Sequence, residues 1–231
     1  ALINPIIEQA CLPVRQLSQE EIDELERPSS PAQSIPSTHT KYKPRIDQLS
    51  IIINAKAHLE TNGRGILVLT CGTGKTLISL WVAKELNMRN IIIGVPNILL
   101  LEQWRDKCRT IYPASKILLI KDGIKFEEIS EFIIASKTNN CENIIITSYS
   151  SCYKVALAAQ NQRFTFDIKI MDEVHHLTSA APQRNDPAES AQFIKMLDIP
   201  AHKHLSLTAT LKQLTGTSNA SVISNDDIAI F

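Results

Sequence analysis

LTCGTGKT, residues 69–76, follows one apolar run and opens a second with helical spacing. Within it, Gly72-Thr73-Gly74-Lys75-Thr76 has the chemistry of a phosphate-binding loop. Glycines let the backbone curl so that successive amides point inward at the β- and γ-phosphates. The lysine neutralises charge there, and the threonine hydroxyl reaches a Mg²⁺. The positive end of the following helix adds to the same anion site. The full eight-residue pattern begins with glycine, and Leu69 stands at that position here. The competing reading is a glycine-rich turn whose lysine is solvated.

Around this stretch the chain alternates short apolar runs with helix-period segments. Strands are expected at 66–70, 90–95, 116–120, 143–148, 167–172 and 204–210. Helices are expected at 76–86, 98–111 and 126–136, with a further connecting segment that runs through Ala159. Continuous apolar strands separated by helices are buried on both faces, which indicates an α/β fold with a mostly parallel sheet sandwiched by helices. Ligands of such folds bind beyond the carboxyl ends of the strands. Every motif of this chain falls at such an end.

Asp172-Glu173 closes the run DIKIM, 97 residues after Lys75. One carboxylate there can hold Mg²⁺ opposite the loop threonine, and the other can orient or deprotonate an attacking water. With Lys75 and Thr76 they form a minimal set for phosphoryl transfer, which needs little beyond positioned charge. Taken alone, an Asp-Glu pair reads equally as a strand end running into a solvated turn. The glycine loop and the neighbouring His175 favour the chemical reading.

Bulk properties narrow the class. The 231 residues carry 24 Lys plus Arg against 24 Asp plus Glu, so the formal charge is zero. A strong independent nucleic-acid binder normally has a basic excess; a basic strip on one face remains compatible with neutrality. No apolar run approaches the roughly 20 residues needed to cross a bilayer, so no membrane partner is expected. The five cysteines, Cys11, Cys71, Cys108, Cys141 and Cys152, are odd in number and lack CxxC spacing. Such usage reads as reduced thiols of an intracellular reducing compartment, cytoplasm or nucleus. Cys71 differs in lying inside the glycine loop, where bound nucleotide would protect it from alkylation.

The ordered set of motifs resembles superfamily 2 helicases and translocases. DEVHH (172–176) resembles their DExH box and TCGTGKT their motif I. Arg45-Ile46-Asp47-Gln48 looks like the R-x-x-Q element upstream of the P-loop. VPNILLLEQW (95–104) is similar to motif Ia as written in the branch of type III restriction subunits and XPB-type helicases. ITSYSS (146–151) is similar to the motif Ib region, and LTAT (207–210) to motif III. The resemblance spans about residues 41–212. It implies a RecA-like P-loop NTPase domain that uses ATP and Mg²⁺ and acts on DNA or RNA.

Carried over residue by residue, the resemblance implies a cradle of Cys71, Gly72, Thr73, Gly74, Lys75 and Thr76. Thr76 and Asp172 would hold the metal, and Glu173 the catalytic water. Gln48 would contact adenine, with Arg45 supporting that pocket; the competing reading of Gln48 is an exposed helix residue. His175, Thr208 and Thr210 would relay nucleotide state to the bound strand. Pro96, Gln103, Thr147 and Ser148 lie in the nucleic-acid-contacting motifs, and Trp104 reads as core or functional with equal weight. His39, His58, His202 and His204 have no metal spacing and default to surface or strand positions.

The N-terminal 40 residues read as an arm with a Pro/Ser-rich linker, and 41–212 as the ATP-binding domain. Residues 213–231 read as a hinge. Motors of this class use a second RecA-like domain whose arginines complete the site, and nothing after Thr210 resembles it. Two rival readings share the fold: a nucleotide-gated nucleic-acid-binding scaffold, and a restriction or remodelling motor subunit that does not separate strands.

Overall fold

A computed structural model describes residues 43–70, 72–174 and 195–209 of the chain. The N-terminal arm, the hinge, Cys71, His175, His176 and Thr210 lie outside the described residues, as does the polar loop around 178–190. Helix α1 (Ile46–Asn62) leads into strand β1 (Arg64–Val68), then α2 (Lys75–Glu85) and β2 (Asn90–Val95). Helix α3 (Leu99–Ile111), β3 (Lys116–Ile120), α4 (Phe126–Ser136) and β4 (Asn143–Ser148) follow. Helix α5 (Cys152–Asn161), β5 (Phe166–Met171) and β6 (Ala201–Thr208) complete the described elements. The six strands form one sheet in the order β1-β6-β5-β2-β4-β3, and every pairing is parallel.

The runs of isoleucine follow from this layering. Alternate residues of a strand face opposite sides, and both sides are covered here. Ile91, Ile93 and Val95 join Ile144, Ile146, Ile168 and Ile170 in one apolar cluster with Leu59, Ile78, Leu101 and Trp104 of α1, α2 and α3. Ile92 and Ile145 point the other way, into a second cluster with Ile129, Ile133 and Val155 of α4 and α5. A fully buried Ile side chain contributes about 1.5–3 kcal/mol relative to exposure, so each strand is specified from both faces.

The expected elements are present, with shifted boundaries. Strand β1 begins two residues early and stops at Val68, because Leu69 already turns toward the loop, its amide donating to Thr208 O at 3.0 Å. Strand β6 starts at Ala201 and ends at Thr208. Helix α1 had no counterpart among the expected elements. Its Ile51-Ile52-Ile53 run is β-branched and gives a poor helical stripe, yet Ile52, Ala55 and Leu59 form its buried face. It ends at Gly63, whose φ of 70° lets its amide donate back to Leu59 O. No helix of the described residues is long and apolar enough to cross a membrane.

Candidate nucleotide site

The glycine loop links the C-terminal end of β1 to the N-terminus of α2. Thr73 closes it by donating from both its amide and its hydroxyl to Thr70 O, at 3.5 and 2.8 Å. Gly72 and Gly74 have φ of 85° and 87°, the left-handed region that side-chain-bearing residues rarely adopt. Gly74 is doubly constrained, since a Cβ there would lie 2.8 Å from Gln48 Nε2. Gln48 is only 3% exposed, which overturns the exposed-helix reading. Its amide nitrogen donates to Thr73 O at 2.9 Å, and its Oε1 accepts from Arg45 N at 3.0 Å. The start of α1 thus braces the loop. The Arg45 side chain does not join it. Its guanidinium turns out to Asp47 at 2.8 Å, a hydrogen bond that raises the arginine pKa and lowers the aspartate's.

The acidic pair arrives on β5, separated from β1 by β6 alone. Asp172 N donates to Gly94 O at 2.8 Å, and the hydroxyl of the fully buried Tyr149 donates to Asp172 O. The carboxylate Oδ2 accepts from Trp104 Nε1 at 3.0 Å. Asp172 is 8% exposed, and burial pushes its pKa up against the opposing pull of the Trp104 N–H. Glu173 has φ of 48°, a conformation that costs a non-glycine residue roughly 1–3 kcal/mol.

That conformation directs the Glu173 side chain at the loop. Lys75 Nζ lies 3.4 Å from Glu173 Oε1 and donates to Leu69 O at 3.1 Å. Glu173 Oε2 accepts from Ala209 N at 3.4 Å, at the end of β6. The glycine loop, the acidic pair and the end of β6 therefore meet at one sheet edge. Thr76 lies in the first turn of α2, and Thr208 is buried opposite Val68 in the β1–β6 register.

The donor set suits Mg²⁺ better than a self-contained metal cage. Among the described residues no three His, Cys, Asp or Glu side chains cluster to hold an ion. Mg²⁺ keeps waters and binds through one or two carboxylates plus substrate phosphates, and Asp172 beside a hydroxyl-bearing loop fits that habit.

The remaining expected residues divide. Pro96, just before α3, is half-buried, and Gln103, on that helix, is exposed. Thr147 and Ser148 are buried at 0% and 2% exposure, so their side chains face inward. Thr147 Oγ1 donates to Ser148 O, and the Ser148 hydroxyl pairs with that of the exposed Ser150. Trp104 is 2% exposed, as its core reading expects, and its indole nitrogen also reaches the acidic motif. Gly94, just before the motif Ia stretch, and Tyr149, within ITSYSS, had no sequence signal of their own. Cys108 and Cys152 are buried thiols, each pushed up to about 12 by burial.

Residues 41–213 match the family described as "Type III restriction enzyme, res subunit". Among curated proteins, the chain is 29% identical over 147 residues to the DNA 3'-5' translocase XPB2 of Sulfurisphaera tokodaii, covering 64% of this chain and 27% of that protein. It is 27% identical over 159 residues to the DNA 3'-5' helicase XPB of Kineococcus radiotolerans, covering 67% and 24%. The chain thus spans about a quarter of the length of these relatives. Among solved structures, the Type ISP restriction-modification enzyme LlaBIII bound to DNA superposes with a TM-score of 0.64 at 22% identity, covering 80% of this chain and 14% of that one. The SWI2/SNF2 ATPase core of Sulfolobus solfataricus in complex with dsDNA gives 0.54 at 17%, covering 78% and 35%. These likenesses establish the fold as that of a RecA-like helicase domain. A match over three-quarters of its length makes this chain a member of the type III restriction enzyme res-subunit family, within the superfamily 2 helicases.

Proposed function

We propose that this chain is the first motor domain of an ATP-dependent DNA translocase or helicase. The observation that carries the reading is the 3.4 Å approach of Lys75 Nζ to Glu173 Oε1, which joins the glycine loop to the acidic pair. ATP would enter with its phosphates over the loop amides and the N-terminus of α2. Lys75 would exchange Leu69 O and Glu173 for phosphate oxygens. Thr76 and Asp172 are the residues that would hold Mg²⁺, which when bound neutralises charge on the β- and γ-phosphates. Glu173, released from Lys75, would orient the attacking water and accept its proton. The base would lie toward the Arg45–Gln48 segment, with Gln48 linking adenine recognition to the loop through Thr73.

Both curated relatives are named for 3'-5' action on DNA, and two of the structural neighbours were solved with DNA. These names favour DNA over RNA. A second RecA-like domain, supplied by the remainder of a longer polypeptide, would close over the nucleotide and complete the site. Hydroxyl and amide contacts to sugar-phosphate suit such movement, because they ignore base identity.

Two substitutions test the roles. Lys75→Ala should abolish binding of a fluorescent ATP analogue. Glu173→Gln in the full-length protein should retain binding and lose turnover by at least about a hundredfold, within the range of a general-base contribution. Normal turnover by Glu173→Gln would remove that residue from the mechanism. DNA-stimulated ATPase activity separates a motor from a nucleotide-gated scaffold. Displacement of a triplex strand without duplex unwinding would identify a double-strand translocase.

A further inference from the structure

We propose that Trp104 is a positioning residue for the metal-holding carboxylate: its indole N–H fixes Asp172 Oδ2 and so presents Oδ1 to the Mg²⁺–nucleotide. The inference rests on the reading of Asp172 given above and adds a residue from a different motif to it. Asp172 is already restrained along its backbone, by Gly94 O at its amide and by the Tyr149 hydroxyl at its carbonyl. Those bonds fix where the side chain starts. They do not fix how the carboxylate turns about its side-chain torsions.

That degree of freedom falls chiefly to Trp104. Its Nε1 lies 3.0 Å from Oδ2, across 68 residues of sequence, and it is the side-chain donor that holds this carboxylate, beside the adjacent Glu173 amide. A neutral N–H to a carboxylate is a charge-assisted bond, stronger than the bond of a core indole to a backbone carbonyl. The donor is itself rigid. Trp104 is 2% exposed, and its ring is held in the apolar cluster between α3 and the sheet. Side chains that orient a ligating carboxylate typically matter 10–100-fold for metal affinity or activity. An indole whose role was burial alone would contribute to stability and leave metal dependence untouched.

The test measures binding of a fluorescent ATP analogue by anisotropy in the full chain, titrated with MgCl₂ and repeated in EDTA. Trp104→Phe keeps an aromatic ring in the core and removes the N–H. Should Phe fail to fold, benzothienylalanine at position 104 replaces N–H by sulfur in the same bicyclic shape. The expected result is about a tenfold rise in half-saturating Mg²⁺, with metal-free binding unchanged. Trp104→Phe should add nothing further in an Asp172→Asn background. A lowered melting temperature with unchanged Mg²⁺ dependence would overturn the proposal and leave Trp104 a packing residue. If Asp172→Asn itself leaves Mg²⁺ dependence unchanged, the carboxylate reading fails first and the role of Trp104 falls with it.

Discussion

At Gly94 the sheet has no room for a side chain, and the reason leads directly to the acidic motif. A Cβ there would lie 2.7 Å from Met196 Cε and 2.8 Å from Tyr149 Cε1. Methionine is flexible and can yield. The Tyr149 ring cannot, since it is fully buried and its hydroxyl is committed to Asp172 O. Gly94→Ala should therefore overpack the strand and cost about 1–3 kcal/mol, read as a lowered urea midpoint. Unchanged stability would mean that the tyrosine has another resting place. Tyr149→Phe should cost about 1 kcal/mol for the lost hydrogen bond. Neither residue announces this role in the sequence. A glycine inside an isoleucine run is visible, but the side chains that crowd it come from positions 149 and 196.

Elements were legible where a single physical pattern governed them, and obscure where distant chain segments did. Strands β2, β3 and β4 coincide with their apolar runs because helices cover both faces of the sheet. Helix α1 escaped notice because Ile51, Ile52 and Ile53 mimic a strand, and tertiary burial outweighs their propensity. The loop and the acidic pair were readable from spacing; the Trp104–Asp172 bond was not. Lys169 is another residue that only tertiary structure explains. It is fully buried on β5, and its ammonium donates to Met196 O, Leu197 O and Ile199 O at 3.0, 2.8 and 2.9 Å. These bonds tie the helical turn at 195–198 to the sheet, and burial pulls the lysine down to about 8. Opposite it in register, His204 on β6 is pushed down to about 4 by burial and then by the Lys169 charge. It is neutral, its Nε2–H donating to Ala201 O at 3.1 Å. The sign follows from proton counting: between pH 6.5 and about 4 the unfolded chain binds a proton at His204 that the folded chain refuses. Stability contributed by the neutral ring is complete above the unfolded value and is lost as pH falls through this window. Discounted for partial exposure, the loss is about 1–2 kcal/mol. His204→Gln, which keeps a donor for Ala201 O, should flatten the urea midpoint between pH 7 and 4. An undiminished acid slope in that variant would assign the sensitivity to other groups.

Across the whole molecule, the parallel order places the ends of β1, β6 and β5 side by side, so the glycine loop, the end of β6 and the acidic pair share one edge. The ends of β2 and β4 continue that edge with the motif Ia and Ib segments. A single sheet edge can hold a nucleotide from one side only, and the proposed second domain would close the other. Arginines supplied from a partner domain are worth about 10³–10⁵ in rate in related phosphoryl transfer. On the proposed function, the 231-residue chain alone should bind Mg-ATP weakly and hydrolyse it at least about a thousandfold more slowly than a two-domain motor that contains it, with little stimulation by DNA. Steady-state phosphate release by the two proteins, with and without duplex DNA, provides the comparison. Added as a separate polypeptide, the second domain should recover part of the rate, and only when its own arginines are intact. Strand separation, or hydrolysis at the full-length rate, by the isolated chain would mean that this one edge is sufficient and that no closing partner is required.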